Sequence, residues 1–408
     1  MNGNRNAFGR EVRRLREERG LTVGELAART NYARQHMARI EQGERLPTSK
    51  MAARLDDVLE ADGALLAVCA AQALQQSLNT AADESAELTR LARYEPVSSL
   101  TLDNLAARVS AIAQGYVHKA PLPLVNELLS TRSLIRQALL MGPRPRRARE
   151  LYLLAAVTMQ LLAECTDDLA GDTAAAMKHV SAAESLAADV GHRGLEAWIK
   201  GTKALIVEWS PTPGAALSIL EDATGWAPPG DHRVRLWALR ARCAARVGDI
   251  ALARSSAARV VAAAEEAAAG DEVNAFGGAM QFPLAKMAYY LGGTYRRIGD
   301  HGQAELWALN AIQRYASGPE DRRSYGDEGL ARIDAGLARI ADNELEGAGD
   351  VLKPVLELPP DRRIAPIMEG MRTVTAALRS HRHTDAPVAK SLIEATSAYS
   401  TRLTPAVR

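Results

Sequence analysis

Cysteine is scarce. Cys69, Cys165 and Cys243 are three in 408 residues, far apart and set in apolar helical patterns. An odd number without paired C-x-x-C spacing argues against a disulfide framework or a zinc site, and fits buried thiols in a reducing cytosol. Long apolar runs are missing too. No stretch approaches the roughly 18 consecutive apolar residues of a membrane span, and the N-terminus has no apolar signal-peptide region. A surplus of one charge is missing: the net charge is +1, so there is no polyelectrolyte signal over the whole chain. Sustained period-2 alternation is absent, which argues against strands. Catalytic signatures are absent as well: no G-x-S-x-G, Walker A, G-x-G-x-x-G after a strand, or H-E-x-x-H. The expectation is therefore a cytoplasmic chain that is not an enzyme, has no cofactor or metal, and does not enter a membrane. Arg far outnumbers Lys and Ala is abundant, as in GC-rich bacterial genomes.

What is present is helical periodicity. Phe8, Val12 and Leu15 mark a helix over 7–19 that Gly20 ends. Thr22 and Glu25 have capping-box spacing at the start of a second helix, in which Leu26, Ala27 and Thr30 share one face. Asn31 tolerates the left-handed backbone of a tight turn. A third short helix follows, with Tyr32 or Ala33, Met37 and Ile40 inward, and stops at Gly43, a good C′ residue. Arg34, Gln35, His36, Ala38 and Arg39 remain outside. Pro47 and Thr48 open a fourth helix with Met51, Leu55, Val58 and Leu59 inward, and 64–77 adds a fifth. Residues 1–60 carry twelve Lys+Arg against nine Asp+Glu, a surplus of three. Phosphate binding would thus depend on the placement of Arg5, Arg10, Arg13, Arg34, Arg39 and Arg45 more than on bulk charge.

The stretch L-T-x-x-E-L-A at 21–27, the run R-I-E-x-G at 39–43, and Pro47 resemble the Cro/repressor (XRE) family of helix-turn-helix DNA-binding domains, over about residues 8–61. The resemblance implies that Arg34, Gln35 and Arg39 face base edges, with His36 beside them. It places Thr22, Val23 and Arg45 near phosphate. It also implies that Glu41 pairs with Arg16 to brace the motif. Arg can bond guanine bidentately and Gln adenine. Two positions depart from the family pattern. Ala33 stands where Ser or Thr commonly caps the third helix, and Val23 replaces a commonly polar residue.

Residues 78–103, with Pro96-Val97-Ser98-Ser99, form the expected linker, with some helix around 84–93. From residue 104 to the end, helices alternate with turns at Gly171-Asp172, Pro211 to Gly214, Gly248-Asp249, Gly299-Asp300 and Asp342-Asn343. Gly or Asn can end one helix and Asp can cap the next. The sharpest unit is Leu291-Gly292, Tyr295, Gly299-Asp300, Ala304, Ala308 and Ala311, which is similar to the tetratricopeptide (TPR) repeat. Looser copies lie around Trp237 to Val260 and Gly336 to Ala348. Turn spacings of about 37 to 51 residues exceed the roughly 34 of that motif, so five or six degenerate pairs with longer helices are expected. The fold class is all-α: a five-helix domain over 1–77 followed by a TPR-like solenoid. The layout resembles bacterial quorum-sensing regulators that bind a signalling peptide, and actinobacterial regulators of similar build.

In TPR arrays the first helix of each pair lines the concave face. Carried over, this points Trp198, Glu208, Arg235, Arg242, Lys286, Tyr289 and Arg296 into a groove suited to an acidic small molecule or a peptide carboxylate. Trp209, Trp226 and Trp307 read as packing residues. The pairs Asp167-Asp168 and Glu265-Glu266 read as helix-end or solvated charges, and His381 with His383 as part of a solvated turn. The expected function is a transcriptional regulator that binds double-stranded DNA as a homodimer, with an effector in the repeat domain. The dimer contact would come from the repeats or from 64–140. The alternative is a TPR scaffold for a protein partner, with DNA binding secondary.

Overall fold

The computed structural model describes residues 6–401 apart from 46, 94, 171, 209, 211 and 267–269, with backbone alone at 89–93, 169–170 and 400–401. Arg5, Gly171, Trp209 and Pro211 lie outside the described residues. Nineteen α-helices and no strand occur among those described. Contacts divide the chain into two units, 1–94 and 95–408.

The first unit holds α1 (Ala7–Glu18), α2 (Val23–Thr30), α3 (Arg34–Glu41), α4 (Ser49–Val58) and α5 (Ala64–Arg93). Its core is built by Phe8, Val12, Leu26, Met37, Ile40, Leu55, Leu59 and Leu65, all buried. Tyr32 packs against this core while Ala33 is exposed, which decides between the two positions offered by the periodicity. Val58 is only half-buried. The stretch expected as a linker from residue 78 is helix for most of its length, since α5 runs unbroken to Arg93 and α6 begins at Ser99. The reason is local: Ala, Leu, Gln and Glu dominate 64–93, and no glycine or proline interrupts them before Pro96. The start of α5 is secured from α4, where the Asp56 carboxylate accepts from the Gly63 and Leu65 amides at 2.7 and 2.8 Å.

The second unit is a run of seven helical hairpins rather than five or six: α6 (Ser99–Tyr116) with α7 (Pro121–Leu140), α8 (Pro145–Ala170) with α9 (Thr173–Val190), α10 (Arg193–Glu208) with α11 (Gly214–Trp226), α12 (Asp231–Arg246) with α13 (Ile250–Glu265), α14 (Leu284–Arg297) with α15 (His301–Ser317), α16 (Tyr325–Ala341) with α17 (Leu345–Leu356), and α18 (Ala365–Arg379) with α19 (Pro387–Thr401). The turns follow a recurring chemistry. At Gly248-Asp249 and Gly299-Asp300 the glycine takes φ +83° and +76°, and the aspartate accepts from the amide three residues on. Gly292 lets α14 and α15 approach, because a Cβ there would sit 3.1 Å from the Ala308 nitrogen.

The first helices of successive hairpins stack on one another from α6 to α18. The winding brings the end of the run back to its beginning, with α18 packed against α8. The Tyr325 amide donates to the Val117 carbonyl at 3.2 Å, and the Ser110 hydroxyl donates to the Phe276 carbonyl at 2.9 Å. Trp226 and Trp307 pack against the core as half-buried residues. His381 and His383 sit in an exposed segment, and Glu266 pairs with Arg233 at 2.7 Å. All three cysteines are free and buried.

Candidate functional site

The geometry of the first unit converges on α3. Thr22 caps α2: its hydroxyl accepts from the Glu25 amide at 3.2 Å, and the Glu25 carboxylate accepts from the Thr22 amide at 2.7 Å. These bonds hold the Glu25 carboxyl below its ordinary range. Asn31 then turns the chain in the left-handed conformation, φ +59°. The end of α3 is pinned against α1 by a close backbone approach. A Cβ on Gly9 would lie 2.2 Å from the Ile40 carbonyl oxygen. The Arg16 guanidinium donates to both Glu41 oxygens, at 2.7 and 3.0 Å, and to the Leu21 carbonyl at 2.8 Å. Arg16 thus ties the end of α3 to the start of the α2 turn.

With its inner face fixed, α3 presents Arg34 and Gln35 to solvent. Neither side chain has a hydrogen-bond partner among the described residues. Arg39 is exposed beside Glu44 at 3.6 Å, and Arg45 is exposed. His36 is half-buried, edge-on to Tyr32. Val23 is half-buried against the core, so only its backbone is free to meet a phosphate. On α1 the arginines are occupied by neighbours: Arg13 bonds Glu17 at 2.8 Å, and Arg14 bonds Glu11 and Glu18. Ala33 gives α3 no side-chain cap, so its first amides point outward without a side-chain acceptor.

Residues 7–68 match the helix-turn-helix domain family. This match makes the first unit the DNA-binding part of a regulator. No curated protein matches the chain. Among the described residues no helix is long and apolar enough to cross a membrane.

The helix-turn-helix domain is followed by a second unit with its own cavity, lined mainly by the first helices of the hairpins. Arg235, Arg242, Lys286 and Tyr289 line it, and Arg296 lines an adjoining cavity. Trp198 and Glu208 do not reach either one. Trp198 is 1% exposed, its ring lies 4.5 Å from the Arg235 guanidinium, and its carbonyl accepts from Arg235 at 2.6 Å. Glu208 is fully buried and pairs with Arg242 at 2.9 Å. Both residues hold a lining arginine in place from behind. The helical period explains the difference: α10 is buried nearly all round, so its face toward the cavity is narrow and falls on Thr202, Leu205 and Ile206.

The cations expected to seek an acidic ligand already have acidic partners. Arg235 meets Glu164 at 3.4 Å, Lys286 meets Asp327 at 3.6 Å, and Arg296 bonds Asp334 at 2.5 Å. Asp167 and Asp168 lie in the last turn of α8, as expected for helix-end charges, but both line the cavity rather than the outer surface. Burial pushes the Asp168 carboxyl up to about 7 and the Asp167 carboxyl up to about 6, with Glu164 one turn away adding repulsion. Asp168 accepts from the Tyr116 hydroxyl at 2.5 Å. The sequence signal for this pair was its setting. The acids Glu164, Asp167 and Asp168 recur at one-turn spacing in the apolar C-terminal half of a helix that opens a hairpin.

Proposed function

We propose that the chain is a cytoplasmic, sequence-specific transcriptional regulator of the Cro/repressor type and not an enzyme. It binds operator DNA as a homodimer, and its TPR-like unit responds to an effector. The observation that carries this reading is α3: a short helix fixed at its inner face, with Arg34 and Gln35 exposed and without partners. Such side chains can bond base edges in a major groove without first breaking internal contacts. One short helix reads few bases, so two copies on adjacent half-sites supply useful specificity. The cavity supports the sensing role, since a ligand there would touch helices from most of the hairpins at once. Linkage requires only that this ligand prefer one of two arrangements of the hairpins.

The test is binding of the full-length protein to DNA from its own upstream region over a salt series, beside the Arg34→Ala/Gln35→Ala double variant. Each side chain is expected to contribute about 1–3 kcal/mol on the cognate site. The variant should melt like the wild type, because both side chains are exposed and unbonded. Equal affinity and equal salt dependence in the two proteins would reject the base-reading role of α3.

A further inference from the structure

The second unit holds two adjoining cavities of about 120 and 300 Å³, which share the walls Arg242, Tyr289 and Tyr290. Their unsatisfied charges are opposite in sign. In the first cavity, Glu164 and Asp327 are matched by Arg235 and Lys286. Asp167 has no hydrogen bond or ion pair among the described residues, and Asp168 has only the Tyr116 hydroxyl. The surplus there is acidic.

In the second cavity four guanidinium groups converge from α12 and α14: Arg242, Arg246, Arg296 and Arg297. Glu208 serves Arg242 and lies 4.0 Å from Arg246. Asp334 serves Arg296, and Glu369 is taken by Arg372. Arg297 makes no ion pair among the described residues; burial and Arg242 beside it depress its proton affinity to about 10, while Glu208 and Asp334 act on it only from a distance. The surplus there is basic. Between the two ends, Tyr290 lines both cavities, and its hydroxyl makes no hydrogen bond among the described residues.

Two opposite surpluses in adjoining cavities would ordinarily pair with each other. Here they do not, because Arg242 stands between them and is itself committed to Glu208. We propose that the two cavities together take a dipolar organic ligand, with an ammonium group seated by Asp167 and Asp168 and an anionic group, carboxylate or phosphate, seated by Arg297. Tyr290 bonds the middle of it. A metal ion is the poorer match for the acidic end, since no three His, Cys, Asp or Glu among the described residues converge to hold one. A purely acidic small molecule, one of the two ligands expected from the sequence, would leave Asp167 and Asp168 unmatched.

This inference rests on reading the second unit as an effector domain, and two measurements separate them. The first is calorimetric titration of the full-length chain with aminohexanoate, its longer homologues and the matching aminoalkylphosphonates, each beside its N-acetyl and ester derivatives. The free zwitterion should bind about tenfold or more tighter than either blocked form, as charge-assisted hydrogen bonds in a dry site allow. Arg297→Gln should erase the penalty for esterification, and Asp167→Asn/Asp168→Asn the penalty for acetylation. Melting curves establish that these variants fold. Blocked forms that bind as well as the free ones, no binding by any member of the series, or an Arg297→Gln protein that discriminates like the wild type would each overturn the proposal. The second measurement is DNA affinity with and without the bound zwitterion. Binding without any change in DNA affinity would leave the site standing and refute the effector reading.

Discussion

Removing Arg16 tests whether the brace fixes the recognition helix. The Arg16 and Glu41 side chains are 10% and 8% exposed, and the guanidinium spends three donors on the Glu41 carboxylate and the Leu21 carbonyl. Arg16→Met keeps much of the volume but strands a buried carboxylate. Breaking a buried pair from one side costs about 3–5 kcal/mol. For a unit of this size each kcal/mol moves the melting midpoint by about 4–8 °C, so the first transition should fall by at least about 12 °C. The double variant Arg16→Met/Glu41→Leu removes the stranded charge and leaves only the Leu21 carbonyl, a loss of about 1–3 kcal/mol. It should therefore be more stable than the single variant. Differential scanning calorimetry of the full chain measures both, and DNA affinity of the double variant reports whether α3 keeps its orientation. If Arg16→Met costs under about 1 kcal/mol, or if the double variant is the less stable of the two, the brace is not what fixes α3.

Three further outcomes follow from other contacts. Gly9→Ala places a Cβ 2.2 Å from the Ile40 carbonyl and 2.8 Å from the Glu41 carbonyl, so it should force α1 off α3, destabilising by about 1–3 kcal/mol and weakening DNA binding; calorimetry and DNA titration read the two effects. Arg45→Ala, at an exposed phosphate position, should weaken binding to all sequences alike and lower the log–log salt slope by about one. In the second unit, the Asp168 and Asp167 carboxyls are raised to about 7 and about 6 from 3.8, so the folded chain holds protons that the unfolded chain has lost. Stability should thus be greatest below about pH 4 for these groups, fall as pH rises toward 7, and level off above it, and Asp168→Asn should flatten that fall in a pH series of melts.

The helices of the first unit were legible because each signal acts within a few residues. Capping by Thr22 and Glu25, the left-handed turn at Asn31 and the apolar faces of α1 to α4 need no tertiary information. The extent of α5 was not read correctly, since polar residues such as Asn79, Thr80 and Ser85 suggested a loop while their helix-forming neighbours outweighed them. In the second unit the turn chemistry gave the hairpins away, but not their closure. The contact of α18 with α8 joins segments some two hundred residues apart and has no local signature.

The candidate cavity shows why charge is harder to read than shape. Helical period placed Arg235, Arg242, Lys286 and Tyr289 on the inner face, and they line it. Their partners lie on other helices: Glu164 on α8 for Arg235, Asp327 on α16 for Lys286, and Asp334 on α16 for Arg296. Counting cations on inner faces therefore overstates the pull on an anion, because burying a charge in a dry site demands a compensating charge nearby. The informative residues are those left over once every pair is made. Asp167 and Asp168 were discounted as helix-end charges, and Arg297 is one position past the arginine selected. They became visible only when the neighbours of each were known, and together they add a cationic end to the acidic small molecule or peptide carboxylate expected from the sequence.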